Sequence, residues 1–186
     1  MTPARIVALT NEMIGREDRY SNHPSDKGGE TIWGITVARA RAAGYMGPMI
    51  AMPRKTAVDI YALFYIRQPG FDLIDDVLPD LGAKLIDIGV NTGTAVAGRF
   101  LRRALNHLNG RASLYGDLVV DGACGAMTRA ALNSLIQRCG KADASRVLVA
   151  MATAQQSVRY VEIAEANPTQ EDFAWGWQLN RVTEAL

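Results

Sequence analysis

Apolar residues in the first fourteen positions fall at Ile6, Val7, Leu9, Met13 and Ile14, one face of a helix. Thr2-Pro3 ahead of them is a start signal, a capping hydroxyl followed by proline at the first helical position. From Gly15 to Thr36 the pattern turns polar, rich in Gly, Ser, Asn and Asp, and only Tyr20, Thr31, Ile32 and Trp33 favour extended structure. A small hairpin is expected within residues 19–35. Helical spacing then returns. Thr36 caps a short helix through Ala42, and Met52-Pro53-Arg54 opens a longer one through Arg67, with Val58, Ile60, Tyr61, Leu63, Phe64 and Ile66 as its apolar surface. Pro69-Gly70 stops it.

The second half is helical almost throughout. Leu78 to Asn91 reads as a largely buried helix, since Leu81, Leu85, Ile86, Ile88 and Val90 cover most of its circumference. Asp87 and Asn91, four apart, share a face and either tie the core together or look into a cleft. Thr94 to Leu108 comes next, with Arg102 and Arg103 on its outer side as solvated charges. Beyond a loop at 110–120 comes Asp121-Gly122-Ala123-Cys124-Gly125-Ala126-Met127-Thr128, a turn leading into a helix over 130–138. Lys141 to Glu165 forms a long helix with Val147, Leu148, Met151, Val158 and Val161 inward, and Asn167-Pro168-Thr169 breaks it. A last helix from about Gln170 to Ala185 places Phe173, Trp177 and Arg181 on one face. Trp177 is expected in the core. The fold class is mostly α, with a small loop or β-hairpin in the first half.

Composition narrows the function. At 186 residues, 48% apolar and 21% charged, the chain is an ordinary globular one with a sizeable core. A net charge of +1 and the lack of any Lys/Arg run argue against a nucleic-acid partner. No segment reaches the roughly 20 apolar residues of a bilayer span, so no stable membrane insertion is expected. Residues 1–16 lack the continuous apolar run and cleavage site of a signal peptide. Cys124 and Cys139 lie near opposite ends of one predicted helix, about 22 Å apart, too far for a disulfide. Both are expected reduced, Cys139 in the core. His23 and His107 show no zinc spacing with other ligands, so neither a metal nor a cofactor is expected.

The candidate chemistry lies in the polar stretch. The first helical run ends at Glu17, Asp26 lies nine positions on, Thr31 five further, and the intervening glycines allow close approach of backbone to a ligand. A carboxyl acid serves near neutral pH only if part-buried, for which Ile14, Ile35 and Trp33 are plausible neighbours; Arg16 and Arg19 act the other way. Asp26 is either a second working carboxylate or a turn-former whose side chain bonds its own backbone.

Glu17-Asp18-Arg19-Tyr20, Asn22, Pro24, Asp26, Gly28-Gly29, Thr31 and Gly34-Ile35-Thr36 resemble the signature of glycoside hydrolase family 108, phage and bacterial N-acetylmuramidases. That family usually has Glu-Gly-Gly-Tyr where this chain has Glu-Asp-Arg-Tyr; the carboxylate and the tyrosine stay, and two glycines become charged. Asp87 to Gly93 resembles the family's Phe-Asp-x-x-Val-Asn-x-Gly segment. Phe173 to Val182 resembles its closing Phe-x-x-Gly-Trp-x-x-Arg, with one residue more before the arginine. Asp-Gly-x-x-Gly-x-x-Thr at 121–128 recurs in peptidoglycan-binding modules and is read here as a structural turn.

The resemblance implies a compact lysozyme-like helical fold, with residues 1–92 a catalytic muramidase half and 93–186 a peptidoglycan-binding-like half packed with it as one globular unit. It implies cleavage of the β-1,4 bond between N-acetylmuramic acid and N-acetylglucosamine. Glu17 would be the general acid, Asp26 the second carboxylate and Thr31 the residue that positions water. Tyr20, Asn22, His23, Trp33 and Asn91 would line the substrate site, and Trp175 is either core or a sugar-stacking platform. The partner is bacterial peptidoglycan. A phage endolysin of this kind, a monomer made in the host cytoplasm without a signal peptide, reaches the periplasm through a holin or secretion machinery. Two alternatives are a peptidoglycan endopeptidase and a non-catalytic wall-binding or secretion-accessory module.

Overall fold

The computed structural model describes residues 1–15, 20–21 and 29–183. It is mostly α, as expected, with nine α-helices and one two-stranded sheet among the described residues. The chain divides into two compact units, Met1–Gln68 and Pro69–Leu186.

In the first unit, α1 (Pro3–Ile14) begins where Thr2 accepts a hydrogen bond from the Arg5 amide at 3.3 Å, and ends at Gly15, φ +58°, whose N–H reaches Asn11 O. β1 (Thr31–Ile32) and β2 (Ile35–Thr36) pair antiparallel with Ile32 opposite Ile35. Both turn residues, Trp33 (φ +56°) and Gly34 (φ +71°), are left-handed, the turn geometry that matches strand twist. Trp33 therefore sits in the turn, not in the strand its β-propensity suggested. Thr36 caps α2 (Val37–Ala42). After α3 (Arg54–Tyr61) the helix widens into a π segment, Ala62–Arg67, so the single helix expected over 52–67 has two geometries. Ile14, Ile32, Ile35, Met49, Met52 and Ile60 join in one core that binds α1, the hairpin and α3.

In the second unit come α4 (Phe71–Asp75), α5 (Pro79–Thr92), α6 (Thr94–Leu108), α7 (Ala126–Cys139), the 26-residue α8 (Lys141–Ala166) and α9 (Glu171–Trp177). A second π segment, Gln178–Val182, continues α9. A π turn holds one extra residue without rotating the residues beyond it. This one lies where the sequence carries one residue more than the resembled pattern, and Arg181 still pairs with Asp87 on α5.

The structure corrects four expectations. Arg102 is buried, not solvated: its guanidinium donates to Thr128 Oγ1 at 3.1 Å and to Val119 O, and pairs with Asp121 at 2.8 Å. Ala123 N–H bonds Asp121 Oδ1 and Thr128 donates to Ala123 O, so the 121–128 turn closes around that one cation. Cys124 is the core cysteine and Cys139 is exposed; both are free thiols. Val147, Val158 and Val161 face outward, because the buried stripe of α8 is Ala144, Leu148, Ala152, Gln156, Tyr160 and Ala164. Trp177 is only half-buried, stacked between Tyr160 at 5.1 Å and Phe173 at 6.1 Å, while Trp175 is 78% exposed and is not core.

Candidate active site

Four of the residues singled out, Glu17, Asn22, His23 and Asp26, lie outside the described residues. What the structure does give is the frame at each end of that stretch. On the upstream side, Ile14 is 2% exposed and anchors the last turn of α1 in the core, so the chain leaves Gly15 from a fixed point. Downstream, Ser21 and Thr31 exchange both backbone hydrogen bonds, each at 2.8 Å, adding a bridge to the hairpin edge. Tyr20, next to that bridge, is exposed.

Thr31 is half-buried and its hydroxyl donates to Gly29 O at 3.3 Å. With its proton so used, Oγ1 presents lone pairs, which makes it an acceptor toward any water beside it. A left-handed non-glycine residue costs of order 1–2 kcal/mol, and contacts hold Trp33 in that state. Its indole N–H donates to Met52 O at 3.0 Å, and its carbonyl accepts from the Tyr61 hydroxyl at 3.3 Å. The indole N–H is thereby spent within the fold, and the Arg54 guanidinium lies 5.5 Å from the ring centroid. Arg54 is itself fixed by Asn11 Oδ1 at 2.8 Å.

A second aromatic group was not singled out by sequence. Tyr61 stacks on Tyr65 with ring centroids 5.4 Å apart, and Arg39 lies 5.0 Å from the Tyr65 ring and 5.2 Å from Phe64 while donating to the Tyr65 hydroxyl. The available signal was the spacing of Tyr61, Phe64 and Tyr65 on a helix with a cation three residues after the Thr36 cap. Tyr61 is core, but half-buried Trp33, Phe64 and Tyr65 with exposed Arg39 and Arg54 leave polarised rings and guanidinium groups at the surface of the first unit, groups of the kind that stack on sugar faces and hold carboxylates.

Asn91 belongs to the second unit. Its amide donates to Asp87 O at 2.8 Å and to Asp87 Oδ1 at 3.2 Å. Asp87 also accepts from Gln156 at 3.1 Å and pairs with Arg181, and buried Lys84 donates to Arg181 O at 2.6 Å. Burial lowers the Lys84 ammonium pKa from its usual range; the charge of Asp87 opposes that shift and the charge of Arg181 adds to it. This cluster ties α5, α8 and the π segment together.

The glycosyl hydrolase 108 family matches residues 10–93, and a family described as "Predicted Peptidoglycan domain" matches residues 89–182. Residues 10–93 form a glycosyl hydrolase 108 region. The protein is a glycoside hydrolase whose substrate is peptidoglycan, with the predicted peptidoglycan domain behind the hydrolase region. The family 108 match opens on the last turns of α1 and closes at Gly93, so it takes in the whole polar stretch and the hairpin. The two matches share the last residues of α5. Among solved structures, that of Brucella abortus SagA superposes with a TM-score of 0.66 at 21% identity, over 99% of this chain and 92% of that one, which shows a common fold. No curated protein matches the chain.

Proposed function

We propose that this enzyme is an N-acetylmuramidase that cleaves the β-1,4 bond between N-acetylmuramic acid and N-acetylglucosamine, with Glu17 as general acid. The observation that supports it is the family match across residues 10–93, joined to a scaffold that fixes the chain immediately before Glu17 at Gly15 and after Asp26 at Thr31. Glu17 gives its proton to the leaving glycosidic oxygen as the sugar gains oxocarbenium character. Asp26 is the second carboxylate. Thr31, its hydroxyl proton committed to Gly29 O, accepts one hydrogen of the attacking water, and that leaves the water's lone pair free for the anomeric carbon. Tyr20, Asn22, His23 and Trp33 flank the glycan, and Asn91 lies on the α5 segment that the family match includes. Residues 1–92 form the catalytic half and 93–186 the wall-binding half.

In this reading the protein is a monomeric phage endolysin or prophage equivalent, released to the wall by a holin or secretion machinery. Digestion of purified peptidoglycan by wild type and Glu17→Gln, with the new ends identified by reduction and mass spectrometry, tests the assignment. Reducible N-acetylmuramic acid ends, lost in the variant, are expected. Free peptide amines with intact glycan would make it an endopeptidase. Undiminished cleavage by Glu17→Gln would remove that residue from the mechanism, and no products from either protein would leave a wall-binding module.

A further inference from the structure

α9 and the π segment that continues it present two unlike faces. Inward, Trp177 stacks on Tyr160 at 5.1 Å, Gln178 exchanges hydrogen bonds with Ser157 at 2.9 and 3.2 Å, Arg181 pairs with Asp87, and Val182 is buried. Outward lie Trp175, Gly176, Leu179 and Asn180. Trp175 and Leu179 are four apart, as are Gly176 and Asn180, so the four are neighbours on one face. Trp175 is 78% exposed and Leu179 47%. The Asn180 carboxamide is exposed and makes no hydrogen bond with another described residue. Its Nδ2 stands 4.0 Å from the position a Cβ on Gly176 would take, so the glycine leaves a notch beside the indole with an amide at its edge.

The chain thus leaves a large flat ring in solvent on an element that stacks its other rings inside. The negative face of an indole attracts positively polarised C–H groups, such as those on one side of a pyranose ring. A free carboxamide beside it can donate to and accept from an acetamido group. Two large apolar side chains are too few for a protein partner, whose interface takes about 800 Å² a side. Glu171 and Asp172 open the same helix, and this face carries no Lys or Arg, which sets it against an anionic lipid surface. The whole face lies within the match to the predicted peptidoglycan domain, and the glycan of peptidoglycan is a chain of N-acetylated pyranoses. We propose that the outer face of α9 holds an N-acetylhexosamine unit of the glycan strand, with its C–H face on the Trp175 indole and its acetamido group over the Gly176 notch against Asn180. The site rests on peptidoglycan being the substrate and is independent of which bond is cut. It holds the second unit on the sugar backbone rather than on the stem peptides.

The test is a titration of the isotope-labelled full chain with the N-acetylglucosamine tetramer chitotetraose, monitored at the Trp175 indole N–H and the amides of residues 171–183. Saturable shifts of these signals are expected. Binding read there should weaken about tenfold in Trp175→Leu, which keeps apolar bulk and loses the flat ring, and should be retained in Trp175→Tyr, which restores one. Asn180→Ala, and cellotetraose in place of chitotetraose, should each weaken it severalfold, since each removes one side of the amide contact. No saturable shift by about 10 mM overturns the proposal. So do shifts confined to the first unit, a Trp175→Leu variant that binds as wild type does, or equal binding of cellotetraose. Because the Trp175 signal reports the second unit alone, this outcome stands apart from success or failure of the muramidase assay.

Discussion

Replacing Gly98 by alanine places a methyl carbon 1.9 Å from the carbonyl oxygen of Gly122, against a lower limit of 3.0 Å for real contacts. Neither atom belongs to a movable side chain. The α6 backbone and the 121–122 turn must therefore part by about 1 Å, and the turn cannot swing aside freely. Gly122 itself lies at φ +96°, with the carbonyl oxygen of Ala95 only 2.5 Å from where its own Cβ would be. Overpacking alone costs about 1–3 kcal/mol. One helical turn beyond Gly98, the Arg102 guanidinium holds the same turn through Asp121 at 2.8 Å and Thr128 at 3.1 Å, and each such charged hydrogen bond is worth about 1.5–3 kcal/mol. Stretching even one of them brings the expected loss to about 3–5 kcal/mol, or a fall in Tm of roughly 6–20 °C for a chain of this size. Urea denaturation monitored by tryptophan fluorescence reads the loss directly. Gly116→Ala is the control, since nothing lies within 4 Å of its Cβ position. A Gly98→Ala variant within about 1 kcal/mol of wild type would refute the idea that α6 and the turn are locked backbone to backbone.

Asp87→Asn removes the anion facing half-exposed Arg181 and buried Lys84, and should destabilise by about 1–2 kcal/mol at pH 7 after allowance for screening at Arg181. Lys84 has a lowered folded pKa, so the unfolded chain holds more protons and its share of stability rises with pH up to the ordinary lysine value. Loss of Asp87 lowers that pKa further; the gap between wild type and variant in urea melts should therefore narrow from pH 7 to pH 9.5, and a widening gap contradicts the cluster. A charged thiol reagent should titrate Cys139 alone in the native protein and both cysteines in urea. Burial pushes the Cys124 thiol up to about 12, so the stability it contributes is complete below the usual thiol range and lost as pH rises toward that value. Cys124→Ala should flatten the alkaline slope of stability; a slope unchanged from wild type would count against a buried, neutral thiol.

Local chemistry made much of the fold legible. Thr2-Pro3, Thr36 and Pro69-Gly70 act within a few residues of themselves, so helix ends fell where the sequence placed them. Facing directions fared worse. Valines at 147, 158 and 161 looked inward by hydrophobicity, yet the face that α8 buries runs in steps of four through Ala144, Leu148, Ala152, Gln156, Tyr160 and Ala164, and the three valines fall off it. Arg102 gave no signal at all, since its partners are Asp121 and Thr128, far along the chain and across a helix contact. Trp33 shows local and tertiary forces in conflict: its propensity is for a strand, and bonds to Met52 and Tyr61 hold it in a left-handed turn. For the candidate site, the polar stretch and its framing residues were legible from composition. The Arg39–Tyr65 pair was not, because helical spacing groups Tyr61, Phe64 and Tyr65 on one face but does not bring Arg39, 26 residues earlier on α2, against them.

The two hydrogen bonds between Ser21 and Thr31 act as a clasp on the segment that carries Asp26. Because Ser21 and Thr31 hold each other through backbone groups alone, side-chain changes between them leave the clasp itself intact. Doubling the length of a clasped loop adds only about 0.6 kcal/mol of closure entropy. If the proposed site is right, exchanging residues 22–28 between relatives would change substrate preference, while the core of Ile14, Ile32, Ile35 and Met52 that holds the hairpin stays as it is.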